Sequence, residues 1–230
     1  MHYSLAESNW GEEEIEALRR VIDSDRFTMG KKVEAFESAY AKKFGTKYAV
    51  MTSSGSSANL VGLASFFFKR ENPLKRGDEV IVPSISWATT YYPLQQYGLK
   101  LKFLDIELDT LNIDVSKLEE ALTPKTKMVV AVSILGNPCS IEVIRDFCDK
   151  HGLYLLEDNC ESMGAELNGK LCGTFGDIGT FSTFFSHHIS TIEGGIILTE
   201  NEEIFHLMKS LRAHGWTRDL PYDSSIYDRG

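Results

Sequence analysis

The strongest constraint in this sequence is a set of short, nearly continuous apolar runs alternating with longer stretches of helical spacing. Met128 to Val132 has no polar alternation, and Leu153 to Leu156, Ile178 to Ser182 and Ile196 to Thr199 are similar short runs. Tyr48 to Met51, Glu79 to Val82 (stopped by Pro83) and Leu101 to Leu104 complete the strand candidates. Between them lie helical patterns over Glu12–Ile22, Lys31–Phe44, Ala58–Phe68, Val115–Leu122, Ile141–Lys150 and Glu202–Arg212. Strands apolar on both faces must be covered on both faces. The pattern therefore predicts an α/β fold with a mainly parallel seven-stranded sheet between helices. Ligands of such sheets gather at strand ends beside helix N-termini, so those junctions are the places to look for chemistry.

Length and charge narrow the reading. The 230 residues, 43% of them hydrophobic, suffice for one large core but would cramp two full domains. A net charge of -9 argues against a nucleic-acid or membrane surface, so an anionic ligand would need local donors. No run approaches the roughly 20 apolar residues of a membrane helix, and Met1 to Trp10 lacks the apolar core of a signal peptide. Cys139, Cys148, Cys160 and Cys172 form no CxxC pair, which reads as reduced core thiols in a cytoplasmic protein without a metal site. The polar ending Tyr227-Asp228-Arg229-Gly230 does not resemble a finished C-terminus, so further chain is expected after it.

Four junctions carry candidate chemistry. Ser53-Ser54-Gly55-Ser56-Ser57-Ala58 joins a strand to a helix. Gly55 permits close backbone approach, while Ser56 and Ser57 add hydroxyls to free helical N–H groups, which makes a phosphate cup. The ordinary alternative is a serine N-cap. The segment has no GxGxxG and no Walker lysine, which excludes a typical dinucleotide or triphosphate loop. Glu157-Asp158-Asn159-Cys160-Glu161 follows an apolar strand, and a carboxylate there can hold a protonated pyridine nitrogen or simply cap a turn. Trp87, in Ser84-Ile85-Ser86-Trp87, can stack on a flat ring or serve as a core or interface residue. His187 and His188 lie between two predicted strands. On an extended segment they would point opposite ways, so at most one would face a site.

In order and spacing these motifs resemble the DegT/DnrJ/EryC1/StrS family, which has the aspartate-aminotransferase (fold type I) large domain. The likeness runs through Phe27-Thr28-Met29-Gly30, Ser54-Gly55-Ser56-Ser57-Ala58, Glu157-Asp158, Asn168-Gly169-Lys170, Gly173-Thr174-Phe175-Gly176-Asp177, Glu193-Gly194-Gly195 and Arg212-Ala213-His214-Gly215-Trp216. The resemblance implies that residues 1–230 are the cofactor-binding large domain, with a helical segment over about 1–45 and a C-terminal small domain missing. It implies pyridoxal or pyridoxamine 5'-phosphate as cofactor. Gly55, Ser56, Ser57 and Ser182 would lie around the phosphate, Trp87 would stack on the ring, and Asp158 would pair with the pyridine nitrogen. Glu161 stands where many relatives have Gln or His beside the cofactor.

One departure is decisive. The family's aminotransferases carry a Schiff-base lysine about seven residues before the Gly-Gly pair; counting back from Gly194 lands on His187, and no lysine lies between Lys170 and Lys209. An imidazole cannot form a stable imine but is a good general base near neutral pH. The same swap marks the nucleotide-sugar 3-dehydratases of dideoxysugar pathways, including those that build lipopolysaccharide O-antigens. The resemblance thus implies C3 dehydration of a nucleotide-linked 4-keto-6-deoxy sugar (GDP- or CDP-linked), with His187 as base and His188 as its competitor. An amino donor such as glutamate, or a reductase partner, would renew the cofactor. A homodimer is expected. An aminotransferase of the same family and a non-catalytic relative that binds cofactor or sugar are the alternatives. His214, Trp216 and Arg218 are further candidates in a polar loop whose default is solvation.

Overall fold

The computed structural model describes residues 7–8, 10–218, 220–224 and 226, so the ending at Tyr227–Gly230 lies outside the described residues. In chain order the elements are α1 (Glu12–Asp23), α2 (Lys31–Phe44), β1 (Tyr48–Thr52), α3 (Gly55–Phe67), β2 (Glu79–Pro83), α4 (Ala88–Gln96), β3 (Lys100–Leu104) and α5 (Leu118–Ala121). They continue with β4 (Thr126–Val132), α6 (Ile141–His151), β5 (Tyr154–Asp158), β6 (Glu166–Leu167), β7 (Lys170–Leu171), β8 (Ile178–Ser182), β9 (Gly195–Thr199) and α7 (Glu202–Arg212).

Seven strands form one sheet in the order β1-β9-β8-β5-β4-β2-β3. The pairs from β3 to β8 are parallel, and β9 runs antiparallel to both its neighbours. The expected mainly parallel sheet between helices is what the chain forms. Along β4, Met128, Val130 and Val132 join the core under α3, α4 and α7, whereas Val129 and Ala131 join the core under α5 and α6. In β5, Leu156 faces the first core and Leu155 the second. This period-two split explains why the strands show no polar face. A third cluster packs Tyr40 and Ala41 of α2 on Phe181, Ile196 and Leu198.

Three differences from the sequence reading bear on function. Helix α3 starts at Gly55, three residues before the expected start, because the Ser54 hydroxyl caps it by accepting from Ser57 N at 3.0 Å. Helix α4 was not foreseen: its polar, Pro93-containing run lacks an apolar stripe, and only Thr90, Pro93 and Leu94 are buried. The Glu166–Leu171 hairpin was also missed, since two-residue strands leave no periodic trace. Among the described residues, no helix is long and apolar enough to cross a membrane, and no group of three or more His, Cys, Asp or Glu is set to hold a metal ion.

Candidate active site

A cavity of about 530 Å³ opens at the carboxyl ends of the sheet strands, against the N-termini of α3 and α4. Ser54, Gly55 and Ser56 line it from α3, Trp87 and Thr90 from α4 and its N-cap, and Asp158 and Ser182 from β5 and β8. Cys160, Glu161, Phe184, His187 and Glu193 come from the loops that follow. The sequence-level site residues therefore converge, with two exceptions. Ser57 lies outside this cavity and lines a neighbouring recess with Leu60 and Tyr92, because its hydroxyl is turned back to those of Ser53 and Ser54, each at 3.0 Å. His188 is exposed and does not line the cavity.

The phosphate cup is a close-packed helix start. A Cβ on Gly55 would stand 2.6 Å from Ser182 Cβ and 2.8 Å from Cys160 Sγ. A Cβ on Gly195 would stand 2.2 Å from the Ser54 carbonyl oxygen. The Gly-Gly motif and the serine-rich turn thus require each other: β9 can lie against the start of α3 only without a side chain. The exposed α3 N-terminus offers N–H donors and a positive dipole end, a natural seat for an anion.

The adjacent carboxylates Glu157 and Asp158 point to opposite faces of β5. Glu157 is buried on the α6 side, and its oxygens accept from Gly173 N at 2.8 Å, Phe175 N at 2.7 Å and Gly176 N at 2.6 Å. Burial pushes its carboxyl above the ordinary range, against the pull of those N–H groups. Asp158 faces α3 and the cavity. Its Oδ2 accepts from Asn59 Nδ2 at 2.9 Å and Thr90 Oγ1 at 2.8 Å, and its Oδ1 accepts from Cys160 N at 3.2 Å. Neither Asn59 nor Thr90 stands out in the sequence: Asn59 sits in unremarkable helical text, and Thr90 in the polar run that folds as α4. Glu161 borders the cavity and accepts from Leu135 N at 2.7 Å, which ties down a left-handed turn residue (φ 52°) next to the cavity-lining Ile134.

The histidine-bearing segment between β8 and β9 is not an extended strand. It is a chain of turns, with His187 N donating to the Phe184 carbonyl at 2.9 Å and the Thr183 and Thr191 hydroxyls joined at 2.6 Å. The Trp10 indole donates to the Ser190 carbonyl at 3.1 Å, pinning the same loop from the N-terminal segment. The turns set His187 against Phe184 and into the cavity, half-buried, and leave His188 outside. Burial first, and neighbouring His188 second, hold the His187 pKa below the ordinary value of 6.5, while Glu161 and Asp158 oppose that shift.

Trp87 forms part of the wall with 73% of its surface exposed, so its face is open to a flat ring. His214, Trp216 and Arg218 do not line the cavity; they stack on one another, His214 edge-on to Trp216 and the Arg218 guanidinium 4.4 Å from its ring centre. The cysteines are free, and Cys139, Cys148 and Cys172 are buried. Cys160 touches the cavity, and its thiol is pushed up by burial and by Asp158.

These groups fit a phosphorylated pyridine cofactor. A helix-start anion seat, a buried carboxylate and an open indole face share one cavity, and no lysine lines it.

Comparisons with known proteins agree with this geometry. The model of the DegT/DnrJ/EryC1/StrS aminotransferase family matches residues 8–227. A GDP-4-keto-6-deoxy-D-mannose 3-dehydratase from Yersinia pseudotuberculosis is 55% identical over 221 residues, which is 96% of this chain and 56% of that protein. A crystal structure of GDP-4-keto-6-deoxymannose-3-dehydratase with a trapped PLP-glutamate geminal diamine superimposes with a TM-score of 0.94 at 54% identity, covering 98% of this chain and 58% of that one. A ColD variant with Ser→Asn and His→Lys at consecutive positions gives a TM-score of 0.91 at 54% identity, covering 94% of this chain and 56% of the other. The chain thus spans less than three fifths of the length of these relatives.

Proposed function

The chain belongs to the DegT/DnrJ/EryC1/StrS aminotransferase family, and from that premise we propose that it is the cofactor-binding domain of a pyridoxamine-phosphate-dependent 3-dehydratase acting on GDP-4-keto-6-deoxymannose. The observation that carries the reading is His187, an imidazole without a lysine beside it, set into a cavity that has an anion seat and a buried carboxylate. The GDP-linked sugar is preferred over a CDP-linked one because of the 55% identity to the mannose-type dehydratase. Glutamate is preferred as amino donor over a reductase partner because a 54% identical dehydratase traps it with PLP.

When bound, pyridoxamine phosphate supplies the amine that condenses with the C4 ketone and a ring that takes up electrons as the C3 hydroxyl leaves. The α3 N-terminus with Ser56 would hold the phosphate, Ser182 would add a hydroxyl, and Trp87 would cover one ring face; all line the cavity. Asp158 holds the proton on the ring nitrogen. His187, neutral above its lowered pKa, would take up the proton released next to the ring and pass it to the departing C3 hydroxyl, which leaves as water. The ColD variant supports His187 over His188. Its altered histidine directly follows a serine, and the one Ser-His dipeptide in this chain is Ser186-His187. The expected C-terminal small domain belongs to the same reading and accounts for the length that relatives have beyond this chain. The free cysteines support a reducing, cytoplasmic setting, and exposed Phe27, Ile85, Tyr92 and Ile192 support a homodimer.

The test is incubation with the GDP-linked 4-keto sugar, pyridoxamine phosphate and glutamate, followed by mass spectrometry. The expected product is lighter by one oxygen, with ammonia and 2-oxoglutarate released. His187→Asn should abolish it and His188→Asn should not. A product that gains nitrogen in place of the keto oxygen would establish an aminotransferase and refute the dehydratase reading.

A further inference from the structure

Asp158 is held by a relay that begins outside the cavity. Asn59, one turn into α3, and Thr180, in the middle of β8, are both buried and do not line the cavity. The Thr180 hydroxyl donates to Asn59 Oδ1 at 2.6 Å, and Asn59 Nδ2 donates to Asp158 Oδ2 at 2.9 Å. An asparagine amide is nearly symmetric in shape, so its hydrogen bonds decide which end faces which neighbour. Turned over, Asn59 would set Oδ1 against the Asp158 carboxylate, acceptor against acceptor. The Asp158 carboxylate and the Thr89 carbonyl, 3.4 Å from Nδ2, therefore fix the donor end of the amide, and the Thr180 hydroxyl, which also lies 3.2 Å from the Glu157 carbonyl, anchors its oxygen end.

Helix α3 gives this relay a second consequence. Gly55 and Asn59 are four residues apart and lie on the same helix face, about 6 Å along the axis. One rigid element thus carries both the anion seat and the donor that aims Asp158. On the far side, the Thr90 hydroxyl donates to the same Oδ2 at 2.8 Å and meets Ser86 Oγ at 2.8 Å. Oδ2 takes two side-chain donors while Oδ1 takes the Cys160 N–H, which leaves Oδ1 capacity for a cationic N–H from the cavity.

We infer that Asn59, anchored by Thr180, is a positioning residue that locks Asp158 at a fixed offset from the phosphate seat on α3, so that a ligand with an anion at one end and a protonated ring nitrogen at the other is gripped at both ends in one register. The clamp presupposes the cofactor reading above. It touches no cofactor atom and acts only through Asp158.

The test is titration of pyridoxamine phosphate into the protein, followed by absorbance, with a pH series on the bound state. Asn59→Leu removes one donor to a charged acceptor and should weaken binding about tenfold. It should also lower by about one pH unit the point at which the bound ring's spectrum shows loss of the nitrogen proton. Thr180→Val should change both readouts in the same direction, and Thr180→Ser, which keeps the hydroxyl, should restore wild-type behaviour. The Val/Ser pair keeps the test open if Asn59→Leu folds poorly. In the Asp158→Asn background, Asn59→Leu should have no further effect on the pH series. An equal effect of Asn59→Leu in both backgrounds would reduce Asn59 to a packing residue and overturn the clamp. So would a wild-type protein that binds while Asn59→Leu and Thr180→Val bind equally well. A wild-type protein that binds no pyridoxamine phosphate overturns the cofactor reading, and the clamp with it.

Discussion

Replacing Glu157 by Gln isolates the structural half of the Glu157-Asp158 pair. The carboxylate satisfies three backbone N–H groups at 2.6–2.8 Å, two on Oε1 and one on Oε2. Glutamine has the same shape but one acceptor. Its oxygen can keep the Phe175 and Gly176 donors, which leaves its NH2 against the Gly173 N–H. A buried donor without an acceptor costs about 1–3 kcal/mol, and here two donors face each other. The two surviving bonds also weaken, because charge-assisted bonds are roughly twice as strong as neutral ones. A net loss of about 3 kcal/mol follows. For a chain of this size that corresponds to a fall in Tm of about 6–12 °C. Urea denaturation followed by far-ultraviolet circular dichroism should show a lower midpoint with an unchanged slope. The loss should reach the site as well. A Cβ on Gly179 would stand only 2.1 Å from the Gly173 carbonyl oxygen, so the 173–176 turn presses on the strand that carries Thr180 and Ser182. A change below about 1 kcal/mol would refute the claim that this carboxylate organises the turn.

Three further outcomes follow from the site. His187 works as a base only when neutral, and its pKa lies below 6.5, so activity should persist as pH falls through 6.5 and fade at lower pH. His188→Asn removes a like charge that lowers this pKa, so the acid limb of kcat/KM should move to higher pH; a limb that stays put or moves down would contradict the coupling. Gly55→Ala places a Cβ 2.6 Å from Ser182 and 2.8 Å from Cys160, an overpacking cost of about 1–3 kcal/mol. It should weaken pyridoxamine phosphate binding in an absorbance titration, and unchanged affinity would remove the close-packed cup from the account.

Much was legible in the sequence because apolar periodicity is a local property. The runs that became β4, β5, β8 and β9 announced a sheet buried on both faces, and the absence of lysine between Lys170 and Lys209 is a fact of the chain that no packing can change. Helix α4 stayed hidden because tertiary contacts, and not an apolar stripe, support it. The sequence could not show that Ser57 turns away from the cavity, because the capping bonds that turn it depend on where α3 begins. The sequence offers Glu157 and Asp158 side by side, and either could serve a ring nitrogen. The pleat decides between them: with β8 paired in register to β5, alternate side chains go to opposite faces, and Asp158 shares its face with Asn59 and Thr180. His187 and His188 are separated in the same way by turns that close only when β8 and β9 are brought together. The sequence determined which chemical groups this protein carries and which one it lacks. The tertiary structure alone decided which member of each adjacent pair faces the cavity, because orientation depends on strand register and turn closure between distant segments.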